Sequence, residues 1–233
     1  MTAQDEVVDI CRDLIRIDTS NPGDHSGPGE RQAAEYVAAK LSEAGLEPTV
    51  LESHPKRTSV VARLEGEDRT RAALLVHGHL DVVPANAEDW QVNPFSGEIA
   101  DDCVWGRGAI DMKDMDAMML AVVRDWKRTG YVPPRDVVLT FTADEEAGGT
   151  WGARFLVDKH PELFEGVTEA VGEVGGFSLT LGGRALAGPR VVAVVAGVDP
   201  DQVAAEVHDL VLARHRPLRA RLAHAAHSHD RCW

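Results

Sequence analysis

The segment "LLVHGHLDVVP", Leu74–Pro84, is an apolar run that gives way to His77, His79 and Asp81 at alternate positions and closes on a proline. A strand buried on both faces reads as a short unbroken aliphatic run, so Leu74, Leu75 and Val76 read as strand and the polar residues as its end. The stretches "PTVLE", "TSVVARL", "DVVLTFTAD" and "EAVGEV" have the same character and predict further strands. Helical spacing lies between and before them. Val7, Cys11, Leu14 and Ile15 form one apolar stripe, and Ala34, Val37, Ala38 and Leu41 form a second that Gly45 ends. "KDMDAMMLAVVRDWKRTG" carries acids early, Lys127 and Arg128 late and Gly130 just beyond, the charge order that complements a helix dipole. "TWGARFLVDKH" predicts one more helix. Helices alternating with nearly unbroken apolar strands predict an α/β domain with a mostly parallel central sheet flanked by helices.

In such sheets ligands bind beyond the carboxyl ends of the strands, where His79 and Asp81 fall. Alternate residues of an extended segment share a face, so the two side chains point the same way. An imidazole beside a carboxylate is a metal ligand with its orienting partner; alone, the pair equally suits a strand end closed by local hydrogen bonds. "WGRGAIDMKDM", Trp105–Met115, adds Asp111 ahead of the long helix, either as a carboxylate facing His79 or, with Asp114 as its rival, as an N-cap. It is not a dinucleotide fingerprint, because Asp111 stands where the third glycine is needed. "TADEEAGG", Thr142–Gly149, follows another strand. Adjacent Glu145 and Glu146 cannot share a direction, so one can bind metal while the other faces a water; an isolated pair of this kind would be a solvated turn. Asp144 makes a third acid there, and clustered like charges are costly without a cation. Glu173, among the small and apolar residues of "EAVGEV", reads as a ligand rather than a surface group. The turn-rich "TSNPGDHSGPGE" is placed to form one wall of the cleft.

Composition narrows the function class. The 233 residues carry 24 basic and 38 acidic side chains, a net charge of −14 that repels polyanions and argues against a nucleic-acid partner. Cys11, Cys103 and Cys232 are odd in number and widely spaced, which suggests neither a disulfide framework nor a thiolate zinc site. With no secretory leader, and with its longest apolar run, Val191–Val198, too short to span a bilayer, the chain reads as soluble and cytoplasmic, with no membrane partner. From Arg184 onward its character changes: 7 arginines and no lysine face 5 acids, and five of the 10 histidines (His208, His215, His224, His227, His229) gather there. "DPDQVAAEVHDLVLARH" predicts a helix in this part, while "HAAHSH" offers either three clustered imidazoles for a metal or, the weightier reading, incidental histidines in a disordered tail.

The four motifs "HGHLDVVP", "WGRGAIDMKDM", "TADEEAGG" and "GEVGG", in this order, resemble the M20 family of metallopeptidases and deacylases, which includes acetylornithine deacetylase, succinyl-diaminopimelate desuccinylase, aminoacylase, carnosinase-like dipeptidases and glutamate carboxypeptidase. The resemblance runs from Val7 to Gly183 and implies a zinc-peptidase-like catalytic domain. It makes His79, Asp111 and Glu173 ligands of one Zn2+, with Asp111 bridging to a second metal held by Glu146; Co2+ or Mn2+ would be substitutes. Asp81 then orients His79, and Glu145 is general base and acid in hydrolysis of an amide or peptide bond in a small peptide or N-acyl amino acid. A cis peptide after Asp111 is part of the pattern; His77 has no ligand role in it. Complete members continue into a lid and homodimerisation domain and a last histidine ligand. The expectation is therefore an incomplete, C-terminally truncated catalytic domain over residues 1–183 and an atypical Ala/Arg/His-rich, partly disordered tail over 184–233. Two readings follow: a deacylase or exopeptidase, or a non-catalytic metal-binding remnant lacking the lid and last ligand.

Overall fold

The computed structural model describes residues 2–173 and the backbone of three later strands. In chain order the elements are α1 (Ala3–Arg16), α2 (Arg31–Glu43), β1 (Thr49–His54), β2 (Arg57–Leu64), β3 (Ala73–His79), β4 (Glu98–Ala100), β5 (Cys103–Trp105), α3 (Lys113–Thr129), β6 (Val137–Thr142), α4 (Ala153–Lys159), β7 (Val167–Glu173), β8 (Ser178–Leu181), β9 (Arg184–Ala187) and β10 (Val191–Val194). The helices and strands predicted up to Glu173 are all present. Helix α3 ends where its composition says it should: Gly130 takes the left-handed conformation at φ 71° and donates its N–H to the Trp126 carbonyl. The β4–β5 hairpin was not expected. Its two turn residues, Asp101 and Asp102, both have positive φ, the conformation a two-residue hairpin requires and aspartate tolerates.

The main sheet has the order β1-β2-β6-β3-β7-β10. Its centre is parallel, β3 lying between β6 and β7 and running with both. Antiparallel pairing of β2 with β6, β1 with β2 and β10 with β7 completes it, so β1, β3, β6 and β7 share one direction. Period-two alternation sorts the strand residues between two cores. Val60, Ala62, Val137, Leu139 and Phe141 pack with the buried stripes of α1, α2 and α3. Val61 and Val138 face the other way, onto Leu156 of α4. Leu14, Leu41 and Leu120 have no exposure, and burial of that kind stabilises by about 1.5–3 kcal/mol per side chain. Helices thus cover both sheet faces, which leaves the strand ends as the accessible place for chemistry.

No helix among the described residues is long and apolar enough to cross a membrane. The expected helix over "DPDQVAAEVHDLVLARH" and the tail histidines lie outside the described residues.

Candidate metal centre

Three parallel strand ends and one loop build the site. His79 of β3 is in register with Thr142 of β6, so the turn carrying Glu145 and Glu146 leaves the sheet beside the histidine. Glu173 closes β7 at the same end, and Asp111 arrives from the loop before α3. Met112, not an acid, is the N-cap of α3, and no side chain caps the helix. Asp111 is thus not spent on capping, and Asp114 enters the first turn instead. The Asp111–Met112 peptide is cis.

Two contacts pin this loop and strand. Lys113 is completely buried and donates from Nζ to the carbonyls of Leu14, at 3.0 Å, and Ile17, at 2.7 Å, which fastens the start of α3 to the end of α1. Burial pushes its pKa down to about 8, against the pull of Asp116. At Gly78, between the two histidines, a side chain would not fit: a Cβ there would lie 2.3 Å from Oδ1 of buried Asp116. Burial holds the Asp116 carboxyl well above the usual carboxylate range.

Donor atoms of His79, Asp111 and Glu173 all lie within 4.8 Å of one another. Nδ1 of His79 sits 3.0 Å from the Asp81 backbone carbonyl. That contact places the ring proton on Nδ1 and turns Nε2 toward Asp111, whose Oδ1 is 3.1 Å away. Ligand atoms on a tetrahedral ion at about 2.1 Å are about 3.4 Å apart, so this pair is close to the required separation. One imidazole and carboxylates without a thiolate form a donor set that suits zinc and other first-row divalent ions. Electrostatics agree: burial opposes charge on His79, yet the hydrogen bond to Asp111 and the nearby Asp81 carboxylate push its pKa up to about 11. A potential that retains a proton so strongly also favours a cation.

Glu145 and Glu146 diverge, as two neighbours in a tight turn must. Oε2 of Glu145 is 3.7 Å from His79 Nε2, and its side chain is 58% exposed to the cleft. Glu146 accepts the Val83 N–H at 3.2 Å instead. Burial and the nearby Asp111 push its carboxyl up to about 7. Asp81 is wholly buried and receives the Glu145 and Glu146 amides on its two carboxylate oxygens, at 3.0 and 3.1 Å. Its carboxylate approaches His79 Nδ1 only to 3.5 Å, so Asp81 meets the ring through its backbone and braces the glutamate turn through its side chain. His77 lines the same cleft of about 200 Å3. Its ring lies against Gly172, where a Cβ would come within 2.0 Å of Nε2. Sequence reasoning passed over two residues, Lys113 and Asn21. The available signals were a lysine at the acidic start of a helix, where a cation opposes the dipole, and an asparagine before proline in a wide turn.

A profile of peptidase family M20/M25/M40 matches residues 75–229. Aminoacylase-1 of Sus scrofa is 35% identical over 157 residues, which are 67% of this chain and 37% of that protein. Human carnosine dipeptidase 1 superposes with a TM-score of 0.64 at 22% identity, over 75% of this chain and 39% of the other. The dipeptidase Dug1p of Saccharomyces cerevisiae does so with a TM-score of 0.58 at 25% identity, over 72% and 38%. The chain therefore spans well under half the length of these relatives.

Proposed function

This chain belongs to peptidase family M20/M25/M40, and from that premise we propose that it is the metal-binding catalytic part of a hydrolase that cleaves amide or peptide bonds, as a deacylase or exopeptidase. The observation that carries the reading is the convergence of His79, Asp111 and Glu173 within 4.8 Å, with Glu145 exposed to the cleft beside them. His79, Asp111 and Glu173 would hold one Zn2+, and Asp111 with Glu146 a second ion. When bound, the metals supply Lewis acidity, polarising the scissile carbonyl and easing deprotonation of the attacking water. The remaining steps belong to the chain. Oε2 of Glu145 takes the proton from the water and delivers it to the departing amine nitrogen. Asp81 holds the backbone of that glutamate, so proton transfer needs little reorganisation. The names of the relatives support a small peptide or an N-acyl amino acid as substrate.

The test is a panel of N-acetyl amino acids and dipeptides, assayed with zinc-, cobalt- or manganese-loaded protein whose metal content is measured by elemental analysis. Glu145→Gln should lose about 100- to 10,000-fold in turnover and keep its metal. Unchanged turnover in that variant would remove the proton-transfer role. Full metal content without any turnover in the parent chain would instead favour a non-catalytic metal-binding domain.

A further inference from the structure

Behind the glutamate turn runs a buried polar chain of which the proposed reaction uses only Asp81. It begins with Arg57, the first residue of β2, paired with Glu30 just before α2; their side chains are 3% and 0% exposed. Nη2 of Arg57 donates to Oδ1 of Asn21 at 2.7 Å. Nδ2 of Asn21 donates to Oδ2 of Asp81 at 2.8 Å and to Oδ1 of Asp144 at 3.2 Å. Asp81 receives the amides of Glu145 and Glu146, while Oδ2 of Asp144 receives the amide of Trp151 at 3.0 Å. Oδ1 of Asn21 also accepts the Gly23 N–H at 3.1 Å.

The amide of Asn21 therefore uses both donors and both acceptor sites, and only one orientation works. Reversed, it would turn NH2 toward a guanidinium and a carbonyl toward two carboxylates. Asp81 and Asp144 are 0% and 2% exposed, and two buried carboxylates facing one point repel unless positive charge or donors lie between them. Asp144 also holds a left-handed backbone at φ 64°, a conformation aspartate accepts more readily than most residues with a Cβ.

We infer that Asn21 is a positioning residue: it ties Asp81 and Asp144 together with Arg57 behind it, and so sets where the Glu145–Glu146 turn points. The proposal rests on reading that turn as part of the active site, but its test does not require activity. Native-state hydrogen exchange by NMR reads the Glu145, Glu146 and Trp151 amides directly, with Val138 and Leu139 of β6 as the measure of global stability. In Asn21→Asp, which keeps the shape but replaces the donors with charge, exchange at the three turn amides should speed up by about tenfold or more while the β6 amides hold. Asn21→Ala should shift the same amides in the same direction, and carries the test if the aspartate variant does not fold. Unchanged protection in the variants overturns the proposal, as does an equal rise in exchange across turn and β6. Loss of turn protection in a chain that never hydrolyses substrate would leave the positioning role standing and the enzymatic reading refuted.

Discussion

The two rims of the metal cluster are built on opposite terms. On one, His79 is 3% exposed and Asp81 wholly buried, and the hydrogen bonds of Asp81 reach the backbone of the glutamate turn and Asn21. On the other, Asp111 and Glu145 present side chains that are 55% and 58% exposed. A ligand on the buried rim is held before any ion or substrate arrives, so its position costs little at the moment of binding. Groups on the open rim face solvent and are held by little packing. Under the proposed function, the buried rim would set geometry and the open rim would supply the reacting groups.

Variants can break that contrast, and the largest effect belongs to the open rim. Asp111→Asn should lower zinc affinity by more than about 100-fold, a greater loss than removing an orienting partner causes, while the melting temperature of the metal-free protein stays nearly constant. A melting drop as large as that of a buried-rim variant would erase the distinction. Next comes Asp81→Ala, which strands two backbone amides and the Asn21 donor. Its zinc affinity should fall about 10- to 100-fold, and here the metal-free melting temperature should fall as well; calorimetry and competition with a chelator read both. A smaller change sharpens the contrast from further inside. Lys113→Met removes the donor to Leu14 and Ile17 and should cost about 1–3 kcal/mol of stability by denaturant titration, with metal affinity moved only through the Asp111 loop.

A further contrast concerns pH. Burial, opposed by Arg57, pushes the Glu30 carboxyl from its ordinary 4.5 up to about 7. The folded state therefore binds a proton that the unfolded state has released, and this contribution is full below about pH 4.5 and lost as pH rises through about 7. Glu30→Gln should flatten that part of the stability profile, at a rate of about 1.4 kcal/mol per pH unit at most. A slope that persists in the variant would place the titration elsewhere.

Much of this was legible in the chain itself, for reasons that differ by element. The stripe of Val7, Cys11, Leu14 and Ile15 and the aliphatic runs before His79 and Glu145 report burial through local periodicity alone. Gly130 marked the end of α3 because few other residues accept that backbone conformation. That His79, Glu145, Glu146 and Glu173 stand at one end of the sheet was readable because polar residues directly after an apolar strand of a parallel sheet must sit at its carboxyl end; Asp111, on the loop before α3, had no such signal. The β4–β5 hairpin escaped because its strands are three residues long, too short to show alternation.

What the sequence determined was therefore whatever depends on neighbours along the chain: element type, the α/β order, and which acids and histidines stand at strand ends. What only the tertiary structure decided was pairing between distant segments. Nothing in the order of residues says that Asn21 would reach Asp81 and Asp144, that Lys113 would close on the last turn of α1, or that Asp81 would hold the glutamate turn with its side chain and His79 with its backbone. Those choices come from strand register and helix packing; a one-residue slip in a strand turns its side chains to the opposite face.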